Sequence, residues 1–557
     1  DGKRRAELNE IAQICDWVPE NPARTLREAM QSYWLVYMIT RIIETHGQGA
    51  GNRLDQLMYP FYAKDVKEGS TTREQTQELV EFFLVKVEET GHLCVPEMHT
   101  GGAGVSMYQS YTMGGQTPDG KDATNEFSFI MIDAAIAMKT HHTNYILRYH
   151  PDINQDFVLR AIDLIRTGVG FPAVFNDSCI IPYLVNRGIP LQDARNYVIR
   201  GCVGWLIPGK ANHVGRVNAG SMSLGKCLEL ALNQGKCQLT GRQLGCVTAD
   251  PNTFKSIEDI MQAYLQQVRF AFDKLVKIDN IAQHFYVKHM QRPFASALID
   301  DCIEKGRDCS AIPYHLLPSI MPTGTTNVAD SLAAIKKFVF DEKRLTMEEL
   351  LHVLRSNWQG KEDLRQRFIN EAPKFGNDDD YADLIAREVH HRSQKVAEEF
   401  KDYYGFPWSL NGSIAGGYYP WGRRAGASAD GRMDKDTFSD AVMSPSAGMD
   451  RKGPTAVIKS VSKIPATWPE LCNQKFMPQF LEGDNKRIFA AYLKTWADMG
   501  NYHIQFNVVD KETLLDAQGH PEKYSNLVVR VAGYSAFFVD LTHGLQDDII
   551  RRTAQRF

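Results

Sequence analysis

One stretch near the end of the chain, residues 528–538, constrains the fold more than any other. It is an apolar run with small residues at its centre, and it reads Val-Val-Arg-Val-Ala-Gly-Tyr-Ser-Ala-Phe-Phe. A glycine inside such a run usually marks a tight turn or a close approach between backbone segments. The small residues leave the backbone bare around Gly533, while bulky side chains enclose it on both sides. The pattern predicts that Gly533 lies at the buried tip of a loop, where glycine best tolerates the required backbone angles.

A buried glycine of this kind can store an unpaired electron on its Cα atom. The flanking amide nitrogen and carbonyl stabilise such a radical when the carbon is nearly planar, and a Cβ substituent would clash in that geometry. The aromatic neighbours Tyr534, Phe537 and Phe538 would keep water and oxygen away. Residues 530–536 resemble, position by position, the signature Arg-Val-(Ala/Ser)-Gly-Tyr-(Ser/Thr)-Ala of the glycyl radical enzymes. The resemblance implies that Gly533 is the radical site.

A glycyl radical stores reactivity, and a second residue must deliver that reactivity to a substrate. A thiol suits this relay because its S–H bond is close in strength to the glycine Cα–H bond. Among the cysteines, Cys202 is the one at a strand end between two glycines, Gly201 and Gly204, which permit a sharp exposed turn. A cysteine taken alone is usually a small buried hydrophobic residue. The resemblance implies instead that Cys202 relays the radical as a thiyl.

Strands and helices alternate along the first part of the chain. We expect strands near 109–115, 145–149, 171–175 and 197–200, and helices over 154–168 and 191–197. This alternation predicts an α/β barrel or an open parallel sheet with loops at the strand ends. The family resemblance implies a ten-stranded α/β barrel, built from two five-stranded half-sheets that run antiparallel to one another. The Cys202 loop and the Gly533 loop would meet inside it.

The resemblance to the family extends across the whole chain. Outside the two loops, the matching segments are residues 52–62, 114–126, 170–177, 428–432 and 453–456. We expect a pyruvate formate-lyase-like barrel domain over residues 1–430 and a C-terminal glycine radical domain over 431–557. Family members usually have a longer N-terminus, so the sequence is interpreted as truncated, with the first barrel strands either upstream of Asp1 or missing.

Composition and charge narrow the class of protein. The chain has 557 residues, of which 43% are hydrophobic and 23% charged, and its net charge is −4. These values are ordinary for a globular protein and give no reason to expect a nucleic acid or a membrane surface as partner. The chain has no apolar run of about 18 residues, so no membrane span is expected. The 10 cysteines form no CxxC pair, and no export signal is visible. This pattern predicts reduced thiols, a cytoplasmic location and no metal cluster within this chain.

The residues after Cys202 distinguish the branches of the family. The eliminating members and the hydroxyphenylacetate decarboxylases carry Cys-Xaa-Glu, in which the glutamate is a general base, and the formate–acetyl transferases carry adjacent cysteines. Here Gly204 stands in the position of the glutamate and Trp205 follows it, so no local carboxylate can take a proton. An apolar aromatic residue beside a thiyl favours hydrogen abstraction from a hydrocarbon. The sequence therefore favours radical addition to fumarate, as in benzylsuccinate and alkylsuccinate synthases.

Three residues downstream of Cys202 are candidate substrate ligands. Trp205 would supply an apolar wall, and Arg216 can bind a dicarboxylate through its guanidinium group. His213 can replace the missing glutamate as base, although such residues are often purely structural. Two alternatives remain. One is a glycyl radical lyase with another base, acting on an arylacetate or on a C–O, C–N or C–S bond. The other is an inactive barrel scaffold.

Further expectations concern metals and partners. His92, Glu97 and His99 match no familiar metal-ligand spacing, so no metal site is predicted. His141 and His142 precede a predicted strand and are candidates for the pocket floor. The resemblance implies that no cofactor is bound. It also implies that a radical S-adenosylmethionine activating enzyme with an iron–sulfur cluster installs the radical. It further implies a homodimer and, for fumarate addition, small accessory subunits.

Overall fold

The computed structural model describes residues 2–44, 51–90, 109–210, 220–311, 318–410, 416–465 and 471–556. Within these ranges the strands are β1 Gly51–Asn52, β2 Gln109–Gly114, β3 Thr143–Tyr149, β4 Ala173–Asn176, β5 Val198–Arg200, β6 Gly204–Leu206, β7 Gly220–Ser223, β8 Ser319–Thr323, β9 Ser409–Leu410, β10 Asn473–Phe476, β11 His503–Val508, β12 Val528–Arg530, β13 Ser535–Phe537 and β14 Ala554–Gln555. The expected strands near 109, 145, 171 and 197 correspond to β2, β3, β4 and β5, within a few residues at each end.

The described α-helices surround these strands. They are α1 Gly2–Cys15, α2 Leu26–Met38, α3 Leu54–Lys67, α4 Arg73–Glu88, α5 Glu126–Met138, α6 Gln155–Arg166, α7 Asp177–Asn186, α8 Leu191–Arg195, α9 Leu224–Ala231, α10 Ile257–His289, α11 Pro293–Ala297, α12 Cys302–Lys305, α13 Thr325–Ile335, α14 Met347–Arg355, α15 Glu362–Asn370, α16 Asp380–Glu398, α17 Tyr418–Gly422, α18 Pro454–Ser462, α19 Asn485–Asp498, α20 Lys511–Gly519 and α21 His543–Arg551. The two helices expected at 154–168 and 191–197 are α6 and α8. None of the described helices is long and apolar enough to cross a membrane.

Seven strands form one mixed sheet in the order β1-β2-β3-β4-β11-β10-β14. The first four pair in parallel, the last three also pair in parallel, and the two groups meet antiparallel where β4 lies beside β11. Strands β7, β8 and β9 form a separate parallel sheet. The predicted α/β fold with half-sheets of opposite direction is confirmed. Among the described residues, hydrogen bonding divides these strands between two sheets and does not trace one closed ring.

Burial explains why the large sheet sits at the centre. Every residue of β2, β3 and β11 is buried, as expected for strands covered on both faces. Helices α4, α5, α6 and α19 pack their apolar residues against β2, β3 and β11 in one cluster. A second cluster surrounds the two hairpins β5–β6 and β12–β13. The sheet therefore forms a wall onto which these two hairpins are fixed.

Candidate active site

The predicted glycine loop is the tip of a tight antiparallel hairpin. Strands β12 and β13 pair with Arg530 opposite Ser535, and the Val531 amide donates to the Tyr534 carbonyl at 2.9 Å. Gly533 lies in the turn with φ of +78°. This is the left-handed region, in which a side chain is strained. The segment is fully buried around the turn, so the prediction of a buried loop tip is confirmed.

A second hairpin carries the cysteine. Strands β5 and β6 pair antiparallel with Arg200 opposite Gly204, which leaves Gly201, Cys202 and Val203 in the turn. Gly201 has φ of +59°, so glycine allows the chain to reverse here. Cys202 is only 4% exposed. The sequence predicted an exposed turn at this point, and the structure instead places the thiol inside the second apolar cluster.

The two hairpin tips lie against one another. A Cβ atom built on Gly533 would overlap Cβ and Sγ of Cys202 and would lie 3.0 Å from its Cα. The Cys202 thiol is also 3.8 Å from the Ala532 carbonyl oxygen. A hydrogen on the Gly533 Cα therefore points at the thiol, with no side chain or water-sized gap between them. This geometry permits direct transfer of a hydrogen atom between the two residues.

One buried amide, Asn144 on β3, connects both hairpins. Its Nδ2 donates to the Gly201 carbonyl at 2.9 Å, and its Oδ1 accepts from Nη1 of Arg530 at 3.0 Å. Arg530 is fully buried, and its Nε donates to Gln505 Oε1 at 2.8 Å. Asn507 bonds both backbone groups of Arg530, at 2.8 and 2.7 Å. These contacts with β3 and β11 fix the position of the glycine turn relative to the cysteine turn.

Arg552 secures the same hairpin from the other side. Its guanidinium donates to the Val531 carbonyl at 2.9 Å. It also forms buried ion pairs with Asp440 at 3.1 Å and Asp548 at 2.9 Å. Asn473 Nδ2 donates to the same Val531 carbonyl at 3.0 Å and contacts Asp440. Burial raises the pKa of Asp440 to about 6, against the opposing effect of Arg552. Two donors therefore hold the backbone oxygen that lies two residues before Gly533.

Comparison with known proteins agrees with this geometry. The pyruvate formate lyase-like family model matches residues 1–421, and the glycine radical model matches residues 440–539. The chain is a glycyl radical enzyme. An isethionate sulfite-lyase of Nitratidesulfovibrio vulgaris is 36% identical over 99% of this chain and 68% of that protein. A trans-4-hydroxy-L-proline dehydratase of Clostridioides difficile is 36% identical over 100% of this chain and 71% of that protein.

The solved structure of a relative confirms the fold of this chain. The B12-independent glycerol dehydratase from Clostridium butyricum superposes with a TM-score of 0.95 at 35% identity, covering 100% of this chain and 70% of that one. The family predicted from the Gly533 signature is therefore correct. These relatives are a lyase and two dehydratases, and they give no support to the fumarate addition that Gly204 and Trp205 suggested.

The remaining predicted site residues have mixed outcomes. Trp205 lies on β6, is 5% exposed and packs in the same apolar cluster as Cys202. His213 and Arg216 lie outside the described residues, as do His92, Glu97 and His99. Their roles stay predictions. His141 and His142 lie beside Glu88 on α4, and the His141 ring contacts Phe537.

Sequence reasoning missed several residues that position the glycyl radical enzyme's turn. Asn144, Gln505 and Asn507 lie on strands β3 and β11, and Arg552 follows α21. Each is a polar residue inside or beside a strongly apolar segment, which is an unusual pattern because buried polar groups need hydrogen-bond partners. That pattern could have marked these residues as internal contacts. It could not have identified their partners.

Proposed function

We propose that this chain is a glycyl radical lyase in which Gly533 stores the radical and Cys202 relays it. The contact between the Gly533 Cα and the Cys202 thiol carries the proposal. Hydrogen transfer from the Cys202 S–H to the glycyl radical leaves Gly533 intact and forms a thiyl. The thiyl then removes one hydrogen from a substrate carbon and becomes a thiol again. The apolar enclosure of both tips keeps out solvent that would quench these radicals.

The proposed reaction is an elimination of the kind named for the relatives. A substrate radical with a leaving group on the adjacent carbon breaks that bond and forms a double bond. Loss of hydroxide requires an acid to protonate the leaving oxygen and is helped by a base on the neighbouring hydroxyl. Because Gly204 occupies the position two residues after Cys202, this turn supplies neither group. A leaving group that departs without a proton suits the site better.

Sulfite is such a leaving group. From isethionate, the thiyl takes a hydrogen from the carbon that bears the hydroxyl group. The adjacent C–S bond then breaks homolytically, which gives the enol of acetaldehyde and a sulfite radical anion. The sulfite radical anion takes the hydrogen back from the Cys202 thiol and becomes bisulfite, and the thiyl is regenerated. The net change is isethionate to acetaldehyde and bisulfite. We therefore propose a C–S lyase acting on a small hydroxyalkyl sulfonate, with Arg216 as candidate ligand for the sulfonate.

A second candidate is radical addition to fumarate. The specific observation in its favour is the absence of a carboxylate among residues 201–207, with Trp205 buried beside Cys202. In that reaction the substrate radical adds to the fumarate double bond, and the adduct radical takes its hydrogen back from the thiol. Arg216 would bind a fumarate carboxylate. No proton moves in this sequence, so the missing base would not matter.

Installation of the radical would depend on a separate protein. Gly533 is buried against Cys202, so an activating enzyme must meet the β12–β13 hairpin in an opened position. We propose a radical S-adenosylmethionine activating enzyme as this partner, and a homodimer as the active assembly. Residues 1–430 would form the barrel domain and residues 431–557 the glycine radical domain. His213 stays a candidate base for an elimination that moves a proton, such as loss of hydroxide.

The test is anaerobic activation of the whole chain followed by product analysis. Activated protein would be incubated with isethionate, with trans-4-hydroxy-L-proline, with glycerol, and with toluene plus fumarate. Release of sulfite and acetaldehyde by the wild type but not by Cys202→Ala would support the C–S lyase. Formation of a succinate adduct would instead support radical addition to fumarate. Turnover that survives in Cys202→Ala would refute the relay role whatever the substrate.

A further inference from the structure

A cluster of three side chains of metal-ligating types takes no part in the proposed hydrogen transfer between Gly533 and Cys202. Glu88 ends α4, while His141 and His142 occupy the bend between α5 and β3. One carboxylate oxygen and two ring nitrogens of these residues lie within 4.8 Å of one another. In an extended strand, successive side chains point to opposite faces. The bend at 141–142 turns both imidazoles toward the same carboxylate, which a strand could not do.

The backbone orients the Glu88 carboxylate toward the rings. Its Oε1 accepts the backbone N–H groups of both His141 and His142, at 2.7 and 3.0 Å. Its Oε2 lies 3.6 Å from Nδ1 of His141 and 3.1 Å from Nδ1 of His142. One oxygen therefore holds the bend in place, and the other faces the two ring nitrogens. Outer contacts of this kind are what orient ligands in protein metal sites.

These separations match the edges of a coordination tetrahedron. Zinc binds imidazole nitrogen and carboxylate oxygen at about 2.0–2.2 Å, so two ligands of a tetrahedral ion lie roughly 3.4 Å apart. The measured 3.6 and 3.1 Å lie on either side of that value. We propose that Glu88, His141 and His142 bind a divalent first-row transition ion of the zinc or iron class, with water in the open position. Two imidazoles and one carboxylate are the donor set that such ions favour.

The surroundings of the cluster agree with this assignment. The three side chains are 13–22% exposed, so an ion can enter from solvent and yet be partly shielded. Hydrogen bonds from two imidazoles to one oxygen would also satisfy Oε2. That simpler arrangement needs no ion, and metal titration distinguishes the hydrogen-bonded cluster from the ion-bound one.

The location gives a bound ion a consequence for the β12–β13 hairpin. The His141 ring packs on Phe537 with ring centroids 4.3 Å apart. Phe537 pairs with Val528 at the open end of the β12–β13 hairpin, whose tip holds Gly533. An ion that fixes the His141 ring would therefore support this hairpin from outside. The ion would lie at the open end of the hairpin, remote from the turn, so it would take no part in hydrogen transfer.

The test uses the whole chain without activation, so its result is independent of the radical chemistry. Protein stripped with a chelator would be titrated anaerobically with Co²⁺, read by its visible ligand-field absorption, and with Zn²⁺, read by calorimetry. The expected result is one ion per chain with nitrogen and oxygen ligation. His142→Ala should weaken binding at least about 100-fold, since loss of even an outer-shell partner costs about 10- to 100-fold.

Two further variants separate loss of metal ligation from changes in surface charge or folding. Glu89→Gln changes the neighbouring glutamate, which pairs with Lys86 on the surface, and should leave the affinity unchanged. Glu88→Gln keeps the acceptor for the backbone N–H groups but loses the charged ligand, so it tests coordination in a folded protein. A chain that binds no ion, binding that persists in His142→Ala, or thiolate bands in the Co²⁺ spectrum would each overturn the proposal.

Discussion

Replacing Gly533 by alanine tests the contact between the two hairpins most directly. The new methyl group would occupy the space of the Cys202 side chain, because a Cβ at this position overlaps both Cβ and Sγ of that residue. The backbone at Gly533 has φ of +78°, which alanine also disfavours. Two separate penalties therefore apply to one substitution.

The two penalties can be estimated from general values. Holding a non-glycine residue in the left-handed region costs roughly 1–2 kcal/mol. Forcing an extra methyl group into a packed core costs typically about 1–3 kcal/mol. Gly533→Ala should therefore lower the free energy of unfolding by about 2–5 kcal/mol. It should also abolish the glycyl radical, because alanine cannot form a planar, unhindered Cα centre at this position.

Gly500→Ala is the control for the backbone penalty. Gly500 has φ of +76° and no heavy atom within 4 Å of a built Cβ. This variant should lose only the roughly 1–2 kcal/mol of backbone strain, and it should keep activity. Chemical denaturation under reducing conditions would measure the free energies of unfolding. Electron paramagnetic resonance after anaerobic activation would detect the radical doublet.

Two results would refute the reasoning. Equal destabilisation by Gly533→Ala and Gly500→Ala would mean that Gly533 does not pack against Cys202. A wild-type-like radical signal in Gly533→Ala would mean that another residue stores the radical. A loss of signal together with the larger destabilisation would support both the contact and the storage role.

Other substitutions test the relay, the link between the hairpins and the buried charges. Cys202→Ala should keep the radical doublet but lose turnover, whereas loss of the doublet would show that the thiol is needed for storage. Asn144→Ala removes a partner from both Gly201 and Arg530 and should cost about 3 kcal/mol of unfolding free energy. Asn144→Asp, which keeps the acceptor, should recover part of this loss, and equal losses would contradict the assignment. Burial raises the folded pKa of Asp450 to about 6, above an unfolded value of about 3.9. The folded state therefore binds this proton more tightly, so lowering the pH from about 7 to about 5 should stabilise the wild type relative to Asp450→Asn, by about 1.3 kcal/mol.

Short-range signals made the two turns predictable. Gly201 and Gly533 allow turns that other residues resist, and each turn is bounded by strand-forming residues within a few positions. The buried glycine tip followed from these local patterns. The α/β class followed from the alternation of strands and helices, and the family from the resemblance of residues 530–536 to its signature. The burial of Cys202 could not be predicted, because a residue between two glycines is typical of an exposed turn. The hairpin that covers it is distant in sequence.

Long-range contacts could not be predicted from local patterns. Asn144 and Arg530 meet across 386 residues of sequence, and their pairing depends on β3 and β11 belonging to one sheet. Glu88 is 53 residues before His141, and they meet only because α4 packs against α5. The reaction branch stays a prediction for a different reason. A single missing glutamate at position 204 indicates what the turn lacks, and it does not indicate which other residues line the pocket.

The contacts of the β12–β13 hairpin bear on the opening that the proposed activation requires. One group joins it to the sheet, through Asn144 and Gln505 to the Arg530 side chain and through Asn507 to the Arg530 backbone. The other joins it to Arg552, which follows the hairpin in sequence. Opening requires both groups to break, because Asn473 on β10 also donates to the Val531 carbonyl and because β14, directly after Arg552, pairs with β10 in the sheet. Buried hydrogen bonds to a charged group contribute about 1.5–3 kcal/mol each, so the closed position should dominate until an activating enzyme offers replacement contacts.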